Sequence, residues 1–331
     1  MAERVAITGL AARSAGFTTV TRFDTGGRRT GVAATLPGTP VLADELVAVI
    51  REACAGADAH CPLLLAAHAD RSNAAVARDV AERVGARYVR TYTAACVAGS
   101  SAVADAAALV ASGRCDRVVV AAGFVVDAGI FGTFDAGRAL ARDGRLRPFS
   151  AGRQGMVLGD AFAAVVLEAG ARHGRATLAG WGRSGDAYHV CQPKPDGTGL
   201  ARAITAALKR AGVAPAEIGY VNANGTGTVL NDSAEAAALH HALGPDVARI
   251  PVSSTKSTHG HALEATGLLE LVLTVRALET RTLPVNAGFL GPDECCRLDL
   301  VLEPRATDAR YALSVNAAFG GANTALLVGA P

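Results

Sequence analysis

The sequence predicts an α/β fold in which a mostly parallel sheet is covered by helices on both faces. Three observations carry that expectation. Short apolar runs bounded by breakers alternate with segments of helical period. Half of the 331 residues are hydrophobic, ample material for a large core. Aromatics make up only 5% while glycines number 37, a small-side-chain composition that suits helices packed closely on a buried sheet. The length corresponds to about two domains of ~150 residues.

In chain order, Arg4–Leu10 reads as a buried strand, and Leu63–Ala67 and Arg117–Ala122 read the same way, being leucine-rich or β-branched and bounded by breakers. Between them, Asn73–Val84 and Ala98–Ser112 have helical spacing and few β-branched residues. A second series follows. Ala161–Glu168 reads as a strand, Gly199–Ala211 as an amphipathic helix ending near Gly212, and Ile218–Asn222 as a strand. Asp232–Leu243 reads as a helix and His261–Leu278 as a long apolar helix, with strands near Leu313–Asn316 and Ala325–Val328 closing the chain. Each half carries the same element types in similar order, with a joint near Gly170–Arg175, so the division is residues 1–170 and 171–331. The two halves do not repeat in detailed sequence; duplication is suggested by element order alone.

Lys and Arg total 32 against 30 Asp and Glu, a net charge of +2 with no block of like charges. That distribution argues against nucleic-acid binding. MAERVAITGL has no charged n-region followed by a long apolar stretch, and no apolar run reaches the ~18–20 residues of a membrane span, so the expectation is a cytoplasmic protein. Seven cysteines, an odd number, are expected to be mostly free thiols. Their spacing gives no metal site, and no phosphate-cradling GxGxxG follows a strand, so no metal or cofactor is expected.

Cys96 stands in TYTAACVAGSSAVADAAAL, where a β-type segment runs into an alanine-rich helix. Exposed N–H groups and the dipole of a helix N-terminus lower a thiol pKa, and the same N–H groups can hold the oxyanion of a thioester under attack. A buried structural cysteine before such a helix is the alternative. Three further segments bear on the choice. NANGTGTVLNDSAEAAAL turns from a strand through a Gly/Thr loop into a helix; VSSTKSTHGHALEATGLLELV carries Lys256, His259 and His261 ahead of an apolar helix; SVNAAFGGANTALLV is a strand, a Gly-Gly turn and another strand.

This set resembles the β-ketoacyl synthases of the elongating type, whose loops read roughly TACxS, HGTGT, STKxxxGH and GFGGTN. The resemblance extends to TRFDT at 21–25, to FDAGRALARDGRLRPFSAGRQGMVLGDAFAAVVLE and to GDAYHVCQPKPDGTGLARAI, and covers nearly everything from Arg90 onward in the right order. It implies a thiolase-like fold, two similar βαβ-type halves in a layered α-β-α-β-α core. Carried over by position, it makes Cys96 the nucleophile that takes an acyl group from a carrier. His261 becomes the histidine that polarises a malonyl thioester, and Lys256 the lysine that supports that site, together with Glu235 or Glu270. Phe319 becomes the gating aromatic, its N–H joining that of Cys96 in an oxyanion hole, and Thr226 and Thr228 face the pantetheine arm. An acyl carrier protein or acyl-CoA thioester would be the partner, and a homodimer or a heterodimer with a related ketosynthase the assembly.

Two departures stand out. Asn224 replaces the first histidine of HGTGT; an amide still donates a hydrogen bond but carries no charge and shuttles no proton, and losing one such donor slows chemistry by ~10²–10³ if nothing replaces it. His259, two residues from His261, would point the same way on an extended segment and could compensate. The stretch between Asp24 and Cys96 is considerably shorter than the family's, which leaves the acyl pocket more exposed or completed by a partner. Three functions follow: a decarboxylating condensing enzyme of polyketide or secondary-metabolite type, an acyltransferase that forms acyl-Cys96 without decarboxylation, and a non-catalytic partner subunit of a ketosynthase (chain-length-factor-like).

Overall fold

The computed structural model describes residues 4–68, 73–170 and 174–331. The N-terminal half runs β1 (Val5–Ser14), α1 (Leu42–Ala53), β2 (Leu63–Ala66), α2 (Asn73–Arg83), β3 (Val89–Tyr92), α3 (Ala98–Ala111), β4 (Arg117–Phe124), α4 (Ala128–Ala136) and β5 (Ala161–Ala169). The C-terminal half runs β6 (Ala176–Gly185), α5 (Thr198–Ala211), β7 (Ile218–Asn222), α6 (Val229–Leu243), β8 (Pro251–Ser253), the short α7 (Lys256–His259), α8 (Thr266–Thr280), β9 (Tyr311–Ala317) and β10 (Ala322–Gly329). Part of the expected joint, residues 171–173, lies outside the described residues.

The strand order shows a repeat of topology. Within one 11-stranded sheet the order is Asp299–Leu300, β8, β7, β9, β10, β6, β1, β5, β4, β2, β3. Each half therefore arranges its strands as third, second, fourth, fifth, first, and the halves meet through their first strands. That meeting is slight, two residue pairs, Ala6 with Thr177 and Ile7 with Ala176. In each half four strands share a direction and the fifth runs against them, since β5 pairs antiparallel with β1 and β4 and β10 antiparallel with β9 and β6.

Helices α1 and α2 lie against one half, α5 and α6 against the other, and α3 and α8 pack on each other and on strands of both. This is the layered α-β-α-β-α core. Small residues make the layers close. An added Cβ on Gly9 of β1 would collide with the Ala53 carbonyl oxygen of α1, and one on Gly182 of β6 would collide with the Ala203 oxygen of α5, so the same device seats the corresponding helix of each half. Ten residues of α3 are buried, and the alanines among them let a helix fit between two sheet layers.

Five of these elements were not read from the sequence: α1, α4, β6, β8 and α7. One was read too long. The helix expected from His261 begins at Thr266, because His261 pairs as an isolated bridge with Leu158 and Leu263, with φ +39, turns the chain into a 3₁₀ segment first.

Candidate active site

Cys96 lies in the 3₁₀ turn Ala95–Val97, between β3 and α3. Ala95 takes φ +47, a left-handed value uncommon for a residue with a Cβ, and the turn leaves Cys96 only 7% exposed. The backbone N–H groups of Cys96 itself and of Phe319 both bear on its sulfur. Phe319 sits in the turn from β9 to β10, where Gly320 (φ +87) and Gly321 (φ +75) supply the left-handed conformations the reversal needs. Its ring, 46% exposed, stacks on Phe134 of α4 with centroids 6.1 Å apart and an 18° interplanar angle.

Asn224, two residues beyond β7, is held at both ends of its amide. Lys256 Nζ donates to Asn224 Oδ1 at 3.2 Å, and Asn224 Nδ2 donates to Asn231 Oδ1 at 2.9 Å. An ammonium only donates, so it selects the oxygen and fixes the amide nitrogen on the other side. Glu235 holds the loop from below: Oε1 accepts from Asn224 N–H at 2.6 Å and Oε2 from Gly225 N–H at 2.7 Å. Burial, with Asp232 adding to it, raises the Glu235 carboxyl to about 8. Lys256 is completely buried and also donates to Glu270 Oε1 at 2.7 Å. Burial raises Glu270, and Lys256 opposes that rise. His261 is buried, with Nδ1 2.9 Å from Thr266 Oγ1; burial first, then Lys256 and His259, hold its pKa well below the usual imidazole range. It is a neutral imidazole at neutral pH.

These groups open on one cavity of about 320 Å³, lined by Cys96, Asn224, His261, Thr226, Thr228 and Phe319 among others. Thr226 and Thr228 share a hydrogen bond of 3.0 Å between their hydroxyls. Of the residues singled out in the sequence, Lys256, Glu235 and Glu270 do not line the cavity; Lys256 and Glu235 hold Asn224, which does, and Glu270 holds Lys256. Asn231 and Phe134 also line it, and nothing in the local sequence around them pointed to this.

Two expectations are corrected. The Cys96 thiol is pushed up to about 12, because burial, followed by the nearby Glu264 carboxylate, outweighs Lys256 and the two N–H groups. The helix terminus expected to lower it acts against a larger desolvation cost. His259 does not line the cavity. Residues 256–259 form a helical turn and Gly260 (φ +72) reverses the chain, so the two histidines do not alternate as on an extended segment. His259 is instead buried, its Nε2 3.2 Å from Thr255 Oγ1 and its Nδ1 without a partner among the described residues, with a pKa lowered to about 3 by burial and then by Lys256.

A five-layer core of repeated topology, with a cysteine and a histidine ahead of its two central helices, defines the class of thiolase-like proteins. Residues 67–173 match the family described as beta-ketoacyl synthase, N-terminal domain, and residues 175–290 match beta-ketoacyl synthase, C-terminal domain. The chain belongs to the β-ketoacyl synthase family. It is 38% identical over 280 residues to a putative polyketide beta-ketoacyl synthase 1 of Streptomyces cyaneus, covering 80% of this chain and 66% of that protein. It is 35% identical over 246 residues to 3-oxoacyl-acyl-carrier-protein synthase 2 of Staphylococcus aureus, covering 70% of this chain and 61% of that one. The chain thus spans somewhat under two thirds of the length of these relatives. Among solved structures it is similar to the ishigamide ketosynthase/chain length factor (TM-score 0.90, 26% identity, 100% of both chains) and to a beta-ketoacyl synthase from Burkholderia phymatum STM815 (TM-score 0.89, 26% identity, 99% and 100%). Among the described residues no helix is long and apolar enough to cross a membrane.

Proposed function

We propose that this chain is a condensing acyltransferase that loads an acyl group on Cys96 and extends it with a malonyl-type thioester. One observation carries the reading: the Cys96 sulfur, with the N–H groups of Cys96 and Phe319 on it, opens on the same cavity as His261 and Asn224. In the first half-reaction the sulfur attacks the thioester carbonyl, the two N–H groups receive the oxyanion, and the thiol proton passes to the departing carrier thiolate. Neutral His261 can relay that proton. In the second half-reaction the extender loses CO₂. His261 and the Asn224 amide donate to the enolate oxygen, its carbon attacks the acyl carbonyl, and the released Cys96 thiolate takes a proton from solvent. Thr226 and Thr228 line the approach that a pantetheine arm would take.

The carrier is an acyl carrier protein or coenzyme A, and the pathway of polyketide type. A homodimer or a heterodimer with a related ketosynthase would be the working assembly, as the names of the similar proteins suggest. Residues 1–170 and 171–331 would be its two halves.

Two specific observations favour narrower readings. The held Asn224 amide, in place of a histidine, fits an acyltransferase that stops at acyl-Cys96. The high pKa of the buried thiol fits a partner subunit of an active ketosynthase. Intact-protein mass spectrometry with acyl and malonyl thioesters, scored together with CO₂ release, separates the three. An acyl adduct absent from Cys96→Ala, with CO₂ released, is the expected outcome; an adduct without CO₂ leaves only the acyltransferase, and no adduct leaves the partner role.

A further inference from the structure

Two buried charges act on the nucleophile, and only Lys256 was visible as a motif. The other is Glu264, in the 3₁₀ turn Leu263–Ala265 that follows His261. This turn packs on the turn of Cys96, and the Glu264 carbonyl oxygen would stand 3.0 Å from a Cβ added at Gly99, in the first turn of α3. Glu264 is 4% exposed. Its Oε1 meets His68 Nδ1 at 2.9 Å, while its Oε2, also buried, has no hydrogen-bond partner among the described residues. A half-satisfied carboxylate in a core is costly unless it has a task. His68 stands two residues beyond β2, the place that Asn224 occupies beyond β7 in the other half. Each half thus presents a polar side chain from the same loop. Asn224 faces the cavity; His68, half-exposed, is anchored to the buried Glu264 carboxylate.

We propose that Glu264, anchored on His68, is a positioning residue that holds Cys96 as the protonated thiol while the cavity is empty. The proposal rests on the reading of Cys96 as the acyl acceptor. A thiolate exposed to an unoccupied cavity is the form that alkylates and oxidises; a neighbouring anion disfavours it until a thioester carbonyl arrives to be attacked. The direction of the Cys96 shift agrees. The other charged group acting on Cys96 is Lys256, which is neutralised by Glu270, and His261 shares the cavity as a neutral ring. On the elements packed around the Cys96 turn, Asp105 is bonded to Tyr92 and Arg183. Glu279 is bonded to Arg175, Arg276 is exposed and Tyr311 lies under Arg310.

The test is the pH dependence of Cys96 alkylation by iodoacetamide, read by peptide mass spectrometry on the full chain, with Cys96→Ala assigning the signal. Glu264→Gln is expected to move the profile about one unit to lower pH and to raise the rate at neutral pH about tenfold. His68→Ala, at a half-exposed site, removes the side chain that anchors the buried carboxylate beside the Cys96 turn. It is expected to move the profile the same way, which keeps the proposal open to refutation if Glu264→Gln does not fold. Glu264→Asp should keep the wild-type profile. Profiles for Glu264→Gln and His68→Ala that match wild type, or that move to higher pH, overturn the proposal. Alkylation needs no acyl transfer, so unshifted profiles in a protein that forms acyl-Cys96 refute this proposal alone, whereas a missing acyl adduct refutes the reading on which it rests.

Discussion

The two halves share a topology down to the order and direction of five strands, yet they treat the equivalent junction differently. In the N-terminal half the chain passes from β3 to α3 through one tight 3₁₀ turn, and Cys96 is drawn into the core against its own N–H. In the C-terminal half the passage from β8 to α8 is longer, with the α7 turn, Gly260 in a left-handed conformation and a second 3₁₀ turn before the helix. The extra residues place Lys256 beneath Asn224 and bring His261 to the cavity. A short junction buries one reactive atom; a longer one assembles a hydrogen-bonded group around it. The repeated topology sets two helix starts toward one space, and the differing loops place different groups at each.

The strongest way to break this comparison is at the N-terminal junction. Cys96→Ala should abolish acyl loading and lower condensation by at least about 10³-fold, read by intact mass and product formation; loading on another cysteine would show that the junction is only structural. At the C-terminal junction, Asn224→Ala should lower CO₂ release by about 10²–10³-fold while leaving acylation of Cys96 within a few-fold. Equal losses in both half-reactions would mean that the halves do not divide the labour. The scaffold itself should respond alike on both sides: Gly9→Ala and Gly182→Ala each force a Cβ into a helix carbonyl and should cost about 1–3 kcal/mol in denaturant unfolding. A cost confined to one half would place the tight packing there.

The last test concerns Glu235 and pH. Its folded pKa, raised to about 8, lies above the ordinary carboxyl value of 4.5. Through that window the folded state binds a proton that the unfolded chain has lost, so stability is greatest below the lower value and falls as pH rises through the upper one, by up to about 1.4 kcal/mol per pH unit. Glu235→Gln should flatten the slope of unfolding free energy between these limits; an unchanged slope would put the proton elsewhere.

Much of this was legible in the residues. Apolar runs and helical periods located the elements around both junctions, and the TYTAAC, NGTGT, STKSTHGH and AFGGAN segments named Cys96, Asn224, Lys256, His261 and Phe319, which carry or support the cavity. What was misread depended on conformations that no short pattern specifies. His259 left the cavity because four residues coil where alternation assumed extension. Helix α8 began late because Leu263 adopts an uncommon φ. Glu264 and His68, far apart in sequence, had no shared local signal at all.

The sequence by itself determined the element order, the family and the chemical groups at the loops, because these follow from periodicity and from side chains at fixed spacing. The tertiary structure alone decided how those groups behave. Burial turned an expected low-pKa cysteine into a thiol held near 12, a lysine–glutamate pair into the clamp of an asparagine, and a histidine into a neutral ring. Desolvation and charge proximity are properties of what surrounds an atom, and for Cys96 the charges that act on it, Glu264 and Lys256, come from the opposite half of the chain.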